Sequence, residues 1–251
     1  MRTGNPVLTQ DVFRIEQPTA AAATTMTING TVAKTGILLA ITVAAAAVSW
    51  VQILKSPEFI MTFVWGGLIG GGIAGVAIFF KPSWSPAVAP IYALCEGLFL
   101  GAISLFADAY AREISGASIV PQAMILTFGT LASMLVAYRA GLVRATEKFR
   151  FVIVAAIGGI CLVYLATIVL RMFGSDIPFI HGGGPIGIGF SVVVLIVAAL
   201  SLVLDFDLIE RGANEGAAKY MEWYGAYALL VTLVWLYIEF LKLLMKLQRR
   251  D

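Results

Sequence analysis

GFSVVVLIVAALSLVLD, residues 189–205, decides the architecture: it is apolar almost throughout, long enough to cross hydrocarbon, and it closes on an acid, Asp205. About 20 apolar residues in a helix span the roughly 30 Å of hydrocarbon in a bilayer. An acid at the centre of such a helix costs roughly 2.5 to 3.5 kcal/mol on insertion scales. Two further runs share this character, since APIYALCEGLFLGAISLF (89–106) holds Glu96 and ALLVTLVWLYIEFLKLL (228–244) holds Glu239. Acids in these positions are candidates for function before they are candidates for packing.

The rest of the chain follows the same pattern. Its 251 residues are 60% hydrophobic and only 13% charged, where a soluble domain carries about 25% charged residues. Seven apolar stretches are long enough to cross: roughly 35–54, 60–80, 87–107, 119–138, 151–171, 185–206 and 226–245. The strand-like alternation of a membrane barrel is absent, so the expected fold is all-α, a polytopic seven-helix transmembrane bundle. Residues 1–33 read as an N-terminal cytoplasmic tail, too long and too sparsely basic to be the leading region of a signal peptide. Residues 34–251 form the transmembrane domain, which implies an integral protein of a bacterial inner membrane with lipid as its first partner.

Lysine and arginine set the orientation. With the N-terminus in the cytoplasm, the inner side collects Arg2, Arg14, Lys34, Lys81, Arg139, Arg144, Lys148, Arg150, Arg211 and Lys219. The outer side collects Lys55, Arg112 and Arg171 before the last span. Lys242, Lys246, Arg249 and Arg250 end the chain and would lie outside after a full seventh crossing. Either the last element re-enters and returns, or the charge rule is broken there. The segment YRAGLVRATEKFR, residues 138–150, is the most basic of all. It serves as a topology determinant, with binding of anionic lipid as the sharper alternative.

Several chemistries are excluded. There is no GxSxG and no HExxH, and His181 is the one histidine, in an outer loop beside a glycine run. No enzyme and no nucleic-acid partner is expected; paired acids of an intramembrane aspartyl hydrolase are the one catalytic arrangement the residue types leave open. Cys95 and Cys161 lie within spans, which excludes a disulfide framework. Gly70, Gly72 and Gly75, and again Gly182, Gly184 and Gly187, satisfy GxGxxG without the strand that a dinucleotide site needs. In GGLIGGGIAG the glycine spacing instead lets two helix backbones approach closely.

Asp205 and Asp207 point about 200° apart on a helix, so one of them faces the interior. Asp207 stands four residues before Arg211 and can pair with it at the surface near a pore mouth, which makes Asp205 the interior residue. Glu239 has Lys242 three residues on, yet that lysine can snorkel outward and leave the acid in the run, so a second carboxylate or a cation explains Glu239 better. Glu96 is followed by the close-packing pair Gly97 and Gly101, and is either a protonated acid bonded to a neighbouring helix or part of a pathway. Two buried carboxylates brought together share a proton or hold a cation, and calcium, with its loose oxygen geometry, suits such a pair.

At these residues the chain resembles the Bax inhibitor family of membrane proteins, in its longer bacterial branch. The matching segments are GNPV (4–7), TMTINGTVAKTGILL (25–39), APIYALCEGLFLGAIS (89–104), GIGFSVVVLIVAALSLVLDFDLIE (187–210) and MEWYGAYALLVTLVWLYIEFLKLL (221–244). The resemblance implies a bundle with a central last helix, a pH-sensitive calcium leak and a role in stress or cell-death control. It also implies one acid at the end of the sixth helix and one in the seventh, matched here by Asp205 and Glu239, with Glu239 where the family commonly has an aspartate. The expected ion pathway and pH sensor therefore comprise Asp205, Glu239, Glu96 and Asp207, with Asp205 and Glu239 as the calcium ligands. The alternative is a non-conducting regulator that binds other membrane proteins, such as a membrane protease.

Overall fold

A computed structural model describes residues 25–173 and 182–248. Among these residues seven long helices follow one another, with no strand: α1 Ile28–Lys55, α2 Ile60–Phe80, α3 Ser85–Ser115, α4 Val120–Arg139, α5 Glu147–Met172, α6 Pro185–Asn214 and α7 Met221–Gln248. All seven are long and apolar enough to span a membrane. The loop histidine His181 and most of the expected tail lie outside the described residues.

Local chemistry sets the helix ends. Pro86, Pro121 and Pro185 sit in the first turns of α3, α4 and α6, where a missing N–H costs nothing. Gly116, at φ +70°, takes the left-handed conformation that terminates α3. Thr27 caps α1 by accepting the Gly30 N–H at 3.0 Å. Several helices run beyond their apolar stretches: α1 begins at Ile28 rather than near 35, and α7 at Met221 rather than near 226. The added turns are polar, so hydropathy does not register them.

The last helix is central, packing against α1, α3, α4 and α6 and reaching α5 through a hydrogen bond from Tyr164. Helices α2 and α5 are peripheral, the first laid on α3 and the second on α6. Lipid offers no hydrophobic drive for helix association, so close backbone approach must supply it. A Cβ on Gly67 would stand 2.6 Å from the Cys95 carbonyl oxygen and one on Gly97 2.7 Å from the Ala45 Cβ, while one on Gly101 would overlap the Ser49 hydroxyl. Gly66 and Gly72 face open space, so only part of the glycine pattern in α2 builds the α2–α3 contact. The outer surface is apolar instead of polar: Phe80 is 79% exposed, Phe151 75% and Ile125 72%. Water would penalise that surface, whereas a bilayer solvates it.

One end of the bundle joins the starts of α1, α3 and α7 to the end of α6. The Met26 N–H donates to the Ala217 carbonyl at 2.7 Å, and the Ser85 hydroxyl to the Tyr220 carbonyl at 3.0 Å. At the opposite end, the Lys246 ammonium donates to the Gly187 carbonyl at 2.9 Å and the Ser191 hydroxyl at 2.8 Å. Helix α7 is thus one continuous crossing of about 42 Å, and the re-entrant alternative does not occur. Two cations of the tail are used inside the protein: Lys246 by α6, and Lys242 by Glu239.

Candidate functional site

Helices α6 and α7 run antiparallel, and two contacts fix their register. Thr232 of α7 donates its hydroxyl to Asp205 of α6 at 2.7 Å, and fourteen residues along each helix Lys246 meets Ser191. That register puts Ala198, not Asp205, opposite Glu239. Two turns of α7, about 10 Å, separate Thr232 from Glu239. The expected Asp205–Glu239 pair is therefore not formed here: the last helix does not start deep enough to bring the two acids level.

Glu239 is 1% exposed and has partners of its own. Its Oε1 accepts the Tyr164 hydroxyl at 2.9 Å and the Lys242 ammonium at 2.8 Å. The ammonium also lies 4.8 Å from the centre of the Tyr164 ring, a cation–π contact that holds it inward. Lys242, which can snorkel outward, instead keeps its ammonium on Glu239, where Tyr164 of α5 supplies an aromatic face, so the local pair accounts for Glu239 in place of a second carboxylate or a cation.

Calcium takes six to eight oxygens. Asp205 and Thr232 together bring three, and Glu239 stands elsewhere beside an ammonium that repels a divalent ion. Among the described residues no three of His, Cys, Asp and Glu gather as a metal site. The two acids do not fit a joint resident calcium site in this conformation.

Asp205 differs from Asp207, Glu222 and Glu239, each of which has a lysine or arginine partner. Asp207 is held by Arg150 at 2.6 Å and, as its spacing predicts, by Arg211. Glu210 accepts the hydroxyl of Tyr138 on α4. Half-buried Asp205 has a hydroxyl alone, and among the described residues no lysine or arginine pairs with it. Glu96, also half-buried, packs on Gly71 of α2, where an added Cβ would stand 2.8 Å from its Oε1. One turn before it on α3, Tyr92 meets Tyr227 of α7 edge-on at 4.8 Å between ring centres. Tyr227 and Thr232 lie about 140° apart around α7, so Glu96 and Asp205 stand on different sides of the central helix.

Two buried acids escaped the sequence reading. Glu222, in the first turn of α7, is completely buried. It accepts the Thr27 N–H at 2.9 Å, the Thr27 hydroxyl at 2.8 Å and the Lys219 ammonium at 2.8 Å, and it pairs with Lys34. Asp108 of α3, 3% exposed, accepts from Arg112 at 2.7 Å and from Ser118 in the following loop. The Lys219/Glu222 and Asp108/Arg112 spacings were visible in the sequence, but as ordinary surface pairs; burial comes from neighbours far along the chain.

The sequence model of the family described as Bax inhibitor 1 like matches residues 5–249. No curated protein and no solved structure matches the chain.

Proposed function

The chain belongs to the Bax inhibitor 1 like family, and from that premise we propose that it is a pH-sensitive cation leak of a bacterial inner membrane, with calcium as the ion. The observation that carries this reading is the state of Asp205. A carboxylate inside a membrane bundle needs a counter-charge. Asp207, Glu222 and Glu239 have theirs in arginines and lysines. Asp205 has only Thr232, so a proton or a passing cation must supply the charge, and the two compete for one site. Thr232 lies one turn beyond Leu229, which lines a cleft of ≈ 700 Å³ open at the end that carries Arg139 and Arg144. Asp205 therefore stands just beneath the floor of that cleft, behind Leu229. Glu239, already paired, then acts as a second station towards the far end of α7.

Purified protein in calcium-loaded liposomes should release calcium faster than empty liposomes, at a rate that changes with external pH. Release no faster than from empty liposomes, at every pH tried, would sink the leak and leave the non-conducting regulator of other membrane proteins.

The orientation proposed is that of the positive-inside rule, with the start of α1 and residues 139–150 in the cytoplasm. Single cysteines at Leu142 and Glu58, in a background lacking Cys95 and Cys161, should react with an impermeant maleimide on opposite sides of the membrane. Labelling of Leu142→Cys from outside intact cells would reverse the assignment.

A further inference from the structure

Helices α1 and α4 face each other across a gap that runs much of the length of the bundle. In its middle the gap is an apolar crevice of ≈ 420 Å³, walled by Val43, Ala47 and Trp50 of α1 and by Met124 and Phe128 of α4. Towards the end that carries Arg139 it continues into the ≈ 700 Å³ cleft, between Ile28–Thr35 of α1 and Leu131–Arg139 of α4. The neighbouring residues Leu229 and Leu230 of α7 floor the cleft and the crevice respectively, so the two are parts of one groove. Val43 and Met124 are exposed, so the crevice opens sideways to the bilayer.

Charge divides along this groove. Its interior is apolar, whereas Arg139 and Arg144 line its mouth, both exposed and neither in an ion pair among the described residues. Of the carboxylates beside them, Asp207 is neutralised by Arg150 and Arg211, and exposed Glu210 accepts the Tyr138 hydroxyl, so the four arginines leave the mouth net positive. From Arg139 to Phe128 the helix rises about 16 Å, the depth of one leaflet of a bilayer about 30 Å thick. An apolar slot one leaflet deep, open to hydrocarbon and mouthed by two unpaired arginines, matches the shape and charge of one lipid molecule.

We propose that the α1–α4 groove is a specific site for an anionic phospholipid, with its phosphate against Arg139 and Arg144 and an acyl chain in the crevice. The site does not depend on ion conduction and stands if the leak reading fails.

Native mass spectrometry of the detergent-purified protein, exchanged with phosphatidylglycerol or with phosphatidylcholine of the same acyl chains, tests it. The wild type should retain one phosphatidylglycerol about tenfold more strongly than phosphatidylcholine. Arg139→Gln with Arg144→Gln should remove the preference and leave weak binding of both lipids. Ala47→Trp, at an exposed position that fills the crevice, should release both. Equal retention of the two lipids by the wild type, which needs no variant, would overturn the proposal. So would unchanged preference in the arginine double variant, or a retained mass equal to a second copy of the chain.

Discussion

Glu222→Ala should destabilise the detergent-solubilised protein by about 3 kcal/mol, the low end of the cost of breaking a buried ion pair because half-exposed Lys219 can turn to solvent. No other side chain in the described bundle joins so many donors from so far apart. The acid ties the entry of α1 to the entry of α7 through both donors of Thr27, and it pairs with both Lys34 and Lys219. Its removal leaves Lys34, only 18% exposed, without a counter-ion and the Thr27 donors without an acceptor. Glu222→Gln keeps the shape and the Thr27 bonds, so it should cost less than the alanine variant. Gly30→Ala should resemble Glu222→Ala, because a methyl group at residue 30 would occupy the carboxylate's position. Unfolding midpoints in a denaturing detergent titration measure all three. A Glu222→Ala protein within about 0.5 kcal/mol of wild type would show that the cluster is not structural.

The second large effect concerns the two acids of the pathway. Because the α6–α7 register keeps Asp205 and Glu239 apart, Asp205→Asn and Glu239→Gln should act independently. If each lowers calcium release about tenfold, the double variant should lower it about a hundredfold, since distant sites without shared partners add in free energy. The pH dependence should divide unequally. Asp205 lacks a cationic partner and Glu239 has Lys242, so Asp205→Asn should flatten the pH profile while Glu239→Gln leaves its shape and lowers its height. A double variant no slower than either single one would show that the two acids come together during transport.

What the sequence discloses here is what depends on local composition. Seven spans follow from apolar runs, and the Asp207–Arg211 pair follows from a spacing of four. The choice of Asp205 over Asp207 as the inward acid rests on that pair together with the angle of about 200° between them on the helix. The fate of Glu239 does not, because it depends on Tyr164, 75 residues away along the chain, and on how far α7 is slid along α6. Hydropathy fixes a span's depth only to within a turn or two. That uncertainty is as large as the distance separating a touching carboxylate pair from two separate ones. Glu222 was hidden for a related reason: its burial arises where the entry of α1 meets the entry of α7, and no pattern within either segment encodes their adjacency.

The Glu222 cluster also limits how the bundle can move. A cross-link of two hydrogen bonds from Thr27 and the Lys34–Glu222 ion pair pins α1 and α7 together at one end, so neither helix can slide along the other without breaking it. Tilting about that end leaves the cluster intact. Helix α7 is about 42 Å long, and a swing of about 5° about its pinned end displaces its far end by about 4 Å. The rim of α7 near Lys242 and Lys246 is therefore where a small rotation becomes a large displacement, and the pinned end is the fulcrum.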